Sequence, residues 1–220
     1  MPYTPPHAKT TRNSTRHLNA NGVNVQEHYL REALTLLMRY GTLRMHSMAF
    51  ALFPNRAQSA ARAATQRVMA NAVATGYAVY ADEAKSRYRY YALSSSGARY
   101  LRDETGEIWA EPTTHLLKKM TRAHHREWTN LCAVAATRRG LEGYAENDFW
   151  GQAFRHDVTE NFGHIPDALT FYEASNRAFV IWHEFELSRR SVRSPRPERV
   201  NDFAPPLVMN LLRKAVVISG

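Results

Sequence analysis

The segments that decide the fold are SAARAATQRVMANAVATGYAVY, residues 59–80, and RYRYYALSSSGARYL, residues 87–101. The first segment predicts a helix from Ser59 to Ala74, which Gly76 ends. β-prone residues follow on both sides of a polar turn at residues 82–85, which predicts a hairpin. The chain therefore changes from helical to strand periodicity between these two segments, and a short helix is expected after the second strand.

Two further helices are predicted before this point, Gln26–Tyr40 and Arg44–Phe53, within a stretch that includes LLMRYGTLRMHSMAFALFP. Gly41 ends the first and Pro54 stops the second. The resulting order is helix, helix, helix, hairpin, helix. Residues 24–105 therefore resemble a winged helix-turn-helix domain, and this resemblance implies that the third helix binds the major groove of double-stranded DNA.

Polar residues on the third helix and in the hairpin are the candidate DNA-binding residues. Arg62 and Gln66 lie four residues apart and share a face, and such side chains pair with guanine and adenine respectively. Basic and aromatic residues alternate in the hairpin, as suits phosphate contacts. The predicted DNA-binding residues are Arg56, Gln58, Ser59, Arg62, Gln66, Arg67, Lys85, Arg87 and Arg89. The residues predicted to pack are Ala60, Ala61, Ala63, Ala64, Val68 and Ala72.

Charge is concentrated in the first part of the chain. The formal net charge is +9. Residues 1–140 carry 20 basic and 9 acidic residues (20 − 9 = +11), and residues 141–220 carry 9 and 11 (9 − 11 = −2). A phosphate-binding surface is therefore expected before residue 140. Residues 1–23 are predicted to be a disordered basic arm without the apolar stretch of a signal peptide.

The cysteine content and the hydropathy of the sequence indicate the cellular compartment in which the protein is expected. Cys132 is the only cysteine, which excludes an intramolecular disulfide and cysteine-based zinc or iron–sulfur sites. The sequence has no apolar run long enough to predict a transmembrane helix. We therefore expect a cytoplasmic protein without a membrane partner.

The remainder of the chain predicts a linker at residues 106–114 and an α/β domain at residues 115–220. A helix is expected at His115–Arg139. Three strands are expected next, at Leu141–Trp150, Ile165–Glu173 and Arg177–Ser188. A second helix at Asp202–Lys214 and a strand at Ala215–Ser219 complete the order αβββαβ. The fold class expected for the whole chain is therefore α+β.

The stretches Pro166-Asp167 and Glu184-Phe185-Glu186 resemble the PD-(D/E)xK nuclease core. The resemblance implies that the carboxylates of Asp167, Glu184 and Glu186 bind Mg²⁺ and support catalysis, if the site is active. Glu186 stands where the family has lysine, which favours an inactive domain. Glu184 and Glu186 could equally form the solvated face of an amphipathic strand. Glu127 is expected on the surface, with a place in this acidic site as the less favoured alternative.

Both halves together resemble the replication-relaxation family of plasmid and mobile-element proteins. The resemblance implies an accessory or regulatory factor in replication, relaxation or mobilisation, which binds double-stranded DNA and other replication or mobilisation proteins. A homodimer is also compatible with this resemblance, since winged helices often bind paired half-sites. Two alternatives stay open: a Mg²⁺-dependent DNA endonuclease targeted by its winged helix, and a winged-helix transcriptional repressor.

Overall fold

The computed structural model describes residues 24–83, 88–151, 166–174, 177–186 and 210–218. Within these residues the chain is α+β, with two small antiparallel sheets, and this confirms the expected class. The elements of the first part are α1 (Val25–Tyr40), β1 (Thr42–Arg44), α2 (Met45–Leu52), α3 (Gln58–Ala74), β2 (Ala78–Asp82), β3 (Arg89–Leu93) and α4 (Ser95–Thr105).

The helices α1, α2 and α3 begin and end within one residue of their predicted bounds. Asn24 starts α1 because its side chain accepts hydrogen bonds from the amides of Gln26 and Glu27. Gly41 ends α1 at a φ of +75°, a conformation that favours glycine. The strand β1 was not predicted, since three residues between two helices show no measurable alternation.

The hairpin pairs β2 with β3 in an antiparallel register from Ala78↔Leu93 to Asp82↔Arg89. β1 pairs with the other edge of β3, which gives the strand order β1-β3-β2. Gly97, at the start of α4, packs against the backbone of Tyr77, the residue before β2. A Cβ at position 97 would lie 2.2 Å from the carbonyl oxygen of Tyr77, so there is no room for a side chain. The hairpin and α4 are thereby fixed to each other.

The second part begins with a 3₁₀ helix (Thr114–Arg122) and ends in a sheet with the order β4-β5-β6-β7. Neighbouring strands in this sheet are antiparallel throughout. Its elements are α5 (Ala123–Arg138), β4 (Glu142–Ala145), α6 (Glu146–Gly151), β5 (Ala168–Ala174), β6 (Arg177–Glu186) and β7 (Asn210–Ile218). The strands predicted around Asp167 and Glu184 are present.

Two secondary-structure predictions in this part were wrong. The strand predicted at Leu141–Trp150 ends at Ala145, because the Asp148 carboxylate accepts a hydrogen bond from the Ala145 amide at 3.1 Å and α6 begins there. The helix predicted at Asp202–Lys214 is a strand from residue 210 onward, because β7 pairs with β6 along its whole length. The rest of that predicted helix lies outside the described residues.

One hydrophobic core spans both predicted domains. Ala133 and Val134 of α5 pack in the same buried cluster as Leu34 and Leu37 of α1 and Met48 of α2. The predicted linker at residues 106–114 is also packed at its end: the Leu93 amide donates to Thr113 Oγ1 at 2.9 Å, and the Thr113 amide donates to the Leu93 carbonyl at 3.0 Å. The boundaries at 24–105 and 115–220 stay predictions, but the two parts are in direct contact.

Candidate nucleic-acid interface

The α3 helix presents one buried and one exposed face. Its buried residues are Ala61, Ala64, Thr65, Val68, Met69 and Ala72. The predicted DNA-binding residues of this segment are all exposed: Arg56, Gln58, Ser59, Arg62, Gln66 and Arg67. Ala60 and Ala63, which were predicted to pack, are exposed as well, because the core side of the helix is already filled by Ala61 and Ala64. Short side chains on the outer face leave room for a close partner.

The arginines of this exposed face are not neutralised locally. The ion pairs of the described residues join other partners, namely Arg31–Glu27, Arg39–Asp148, Arg44–Glu127, Arg89–Asp82 and His125–Asp167. Arg56, Arg62 and Arg67 therefore have no ion pair with a carboxylate in the described part of the chain. Unpaired, exposed guanidinium groups create a positive potential that attracts polyanions.

A groove of about 540 Å³ separates α3 from the hairpin. Arg62 and Gln66 both line it, as their shared helical face predicted. The groove is lined by Met45, Arg62, Gln66, Asp82, Glu83, Arg89 and Tyr91. Its helix wall is basic and polar, and its hairpin wall carries both signs of charge.

Arg89 differs from the arginines of α3 because it has an acidic partner. Its Nε and Nη2 donate to the two carboxylate oxygens of Asp82 at 2.8 and 3.2 Å, and its guanidinium lies 3.9 Å from the ring centroid of Tyr80. The hydrogen bonds from Arg89 lower the pKa of Asp82. The other predicted hairpin contacts, Lys85 and Arg87, lie outside the described residues.

The second predicted site contains Asp167 and Glu184. The register of β5 and β6 pairs Ala168 with His183, so Asp167 lies beside Glu184 at the edge of this pairing. Asp167 Oδ2 accepts a hydrogen bond from the Phe185 amide at 2.7 Å and lies 3.1 Å from His125 Nε2, which is also 2.9 Å from the Phe185 carbonyl oxygen. Glu184 Oε1 accepts one from Trp182 Nε1 at 2.5 Å. For Glu186 only the backbone, in β6, is described.

His125 is a site residue that sequence reasoning missed. Its hydrogen bond to Asp167 outweighs the effect of its burial and raises the pKa of the imidazole above its ordinary value. Burial alone would raise the pKa of Asp167, but the hydrogen bonds from His125 and the Phe185 amide outweigh it and lower that pKa. An ion pair between α5 and the start of β5 has no sequence signature, because the two segments are brought together only by the fold.

The described donor set around Asp167 offers few free oxygen ligands for a Mg²⁺ ion. Mg²⁺ requires nearly octahedral oxygen ligands. Here one Asp167 oxygen is already occupied by two donors, and the neighbouring histidine is biased toward its cationic form. Within the described residues no group of three or more His, Cys, Asp or Glu side chains is placed to hold a metal. Binding of Mg²⁺ by Asp167, Glu184 and Glu186 stays a prediction, and no catalytic step follows from this geometry.

Glu127 lies in the interior, and its predicted surface position was wrong. It is 1% exposed, and its Oε1 lies 3.1 Å from Arg44 Nε. It also accepts hydrogen bonds from the Ser47 hydroxyl and, at 3.4 Å, from the Arg44 amide. Its partners belong to β1 and α2, so its described contacts fasten α5 to the first part of the chain.

Comparison of the chain with protein-family models, with curated proteins and with solved structures found no match. No helix in the described part is sufficiently long and apolar to cross a membrane. Within the described segments α3 exposes Arg62 and Arg67 without a carboxylate partner, and Arg62 lines the hairpin groove.

Proposed function

We propose that this protein binds double-stranded DNA through a winged helix-turn-helix formed by residues 24–105. The proposal places α2 and α3 as the helix-turn-helix, with α3 in the major groove, and places the β2–β3 hairpin as the wing. The order of the elements and the sheet order β1-β3-β2 support this assignment. The observation that carries it is the exposed face of α3, where Arg62, Gln66 and Arg67 have no carboxylate partner among the described residues.

Contacts to the bases would come from Arg62 and Gln66. They lie one helical turn apart and line the same groove, so both could reach base edges together. Arginine binds guanine and glutamine binds adenine through paired hydrogen bonds. The exposed methyl groups of Ala60 and Ala63 suit close approach to the groove floor, where thymine methyl groups are apolar partners.

Contacts to the phosphates would come from Arg56, exposed just before α3, and from Arg67, exposed on α3. Such contacts release condensed counterions and give affinity without sequence preference. Arg89 would contribute less, because Asp82 already neutralises it. Lys85 and Arg87 of the hairpin turn remain proposed phosphate contacts.

A DNA-binding accessory or regulatory factor for replication, relaxation or mobilisation of a plasmid or mobile element is the role we propose. Its basis is the family resemblance together with the engaged carboxylates of the second sheet. Asp167 forms an ion pair with His125 and accepts a hydrogen bond from the Phe185 amide, and Glu184 accepts one from Trp182, so both carboxylates serve as structural groups in this proposal. A homodimer and other replication proteins are proposed partners.

The test is duplex binding by the full chain, measured by fluorescence anisotropy with a labelled duplex. The double variant Arg62→Ala/Arg67→Ala is compared with Arg99→Ala, which removes an exposed arginine from α4. We expect the double variant to bind at least about 5- to 150-fold more weakly, because loss of the Arg62 base contact costs about 1–3 kcal/mol and loss of the Arg67 phosphate contact adds to it. Arg99→Ala should bind like the original chain. Equal affinities for the two variants would overturn the proposal.

A further inference from the structure

A second basic surface lies beside the start of α3, and it includes a residue from the second part of the chain. Arg138, the last residue of α5, donates a hydrogen bond from Nη2 to the carbonyl oxygen of Pro54 at 2.7 Å. Its guanidinium carbon lies 4.1 Å from the ring centroid of Phe50 in α2. Arg138 is exposed, so these contacts fix its position without burying its charge.

The concavity beside Arg138 combines basic, polar and apolar side chains. Arg138, Arg56 and Arg62 line this concavity of about 210 Å³ together with His46 and Gln58, and its apolar residues are Ala49, Phe50, Phe53, Pro54 and Ala61. Arg56 is held 4.7 Å from the ring centroid of Phe53. Among the described residues no carboxylate lines this concavity and Arg138 has no ion pair with an acid. The three arginines therefore add their charges at one place.

We infer that Arg138 binds a DNA phosphate next to the groove that α3 occupies, so that the second part of the chain forms part of the DNA-binding surface. This inference rests on the proposed function. A guanidinium has five N–H donors, and the bond to Pro54 uses one of them, which leaves donors for a phosphate. Stacking on Phe50 fixes the group beforehand and reduces the entropy lost on binding.

The position of Arg138 beside Arg62, in one concavity, suits this role. The major groove is about 12 Å wide and phosphates run along both of its edges. Arg62, which is proposed to reach the bases, shares the concavity with Arg138. Arg138 lines the same concavity as Arg62 but belongs to a different helix, α5. It is therefore placed to reach the phosphates beside the DNA major groove while Arg62 lies inside that groove.

The competing explanation is that Arg138 only fastens α5 to α2. The salt dependence of duplex binding separates the two explanations, because each phosphate contact contributes about −0.9 to the slope of log affinity against log salt concentration. We expect Arg138→Gln to reduce that slope by about 0.9 and Arg138→Lys to retain it. Arg99→Gln, measured in parallel as the control, should leave it unchanged.

A gain-of-charge variant tests the same surface without altering Arg138. Asn55 is exposed and adjacent to Pro54, so Asn55→Lys should steepen the slope by about 0.9. An unchanged slope in Arg138→Gln, whatever Asn55→Lys shows, with a loss of affinity in Arg62→Ala/Arg67→Ala, would overturn this inference alone. If the Arg62→Ala/Arg67→Ala chain also binds like the original, the proposed function itself fails.

Discussion

Replacement of Glu127 by alanine should destabilise the fold far more than the loss of a surface acid. Glu127 is 1% exposed and Ser47 is fully buried, so the change leaves the Ser47 hydroxyl without its acceptor. It also leaves Arg44, whose side chain is 17% exposed, without its anion. Removal of one partner from a buried ion pair costs about 3–5 kcal/mol. In a chain of this size that corresponds to a fall in Tm of about 6–20 °C.

Thermal unfolding followed by circular dichroism measures this effect. The matched control is Glu27→Ala, because the Arg31–Glu27 pair lies within one helix and both side chains are 40% exposed. Exposed pairs of this kind contribute about 0.2–1 kcal/mol. If Glu127→Ala lowers Tm by no more than Glu27→Ala does, then the contacts of Glu127 with Arg44 and Ser47 do not stabilise the packing of α5 on β1 and α2.

Three further predictions concern the groove and the second sheet. Asp82→Asn should release Arg89, so that duplex affinity rises and the salt slope steepens by about 0.9; a weaker affinity would argue against a wing contact. The pKa of His125 is raised and the pKa of Asp167 is lowered, so their ion pair stabilises the fold at pH values above the ordinary carboxyl pKa of about 4. This contribution is lost as pH rises through the raised pKa of His125. The difference in unfolding free energy between the original chain and His125→Ala should therefore shrink from pH 6 to pH 9, with about the pH dependence of one titrating group. A difference that does not change with pH would show that His125 and Asp167 do not form a stabilising ion pair. Supercoiled plasmid should stay intact with Mg²⁺ or Mn²⁺, and cleavage that Asp167→Ala/Glu184→Ala abolishes would establish the nuclease alternative instead.

The helices and the exposed face of α3 could be predicted because helical periodicity is a local property. Arg62 and Gln66 share a face from their spacing alone, and the structure agrees. The periodicity could not decide which alanines pack: Ala60 and Ala63 are exposed while Ala61 is buried, since that depends on where α2 lies.

Long-range polar contacts could not be predicted. Nothing near Glu127 in the sequence indicates that Arg44 and Ser47 enclose it, and a charged residue is expected at the surface unless it is paired. The same holds for His125 and Asp167, which only the packing of α5 on the second sheet brings together.

The salt dependence of duplex affinity, measured on the unaltered chain, decides whether the α3 face binds duplex DNA. Three phosphate contacts, from Arg56, Arg67 and Arg138, give a slope of about −2.7, and the guanidinium of Arg62 inside the groove, counted as a fourth cation, gives about −3.6. Affinity should then weaken about 40- to 150-fold between about 50 and 200 mM salt, and further if Lys85 and Arg87 add contacts. Absence of duplex binding, or an affinity that does not change with salt, would contradict the account.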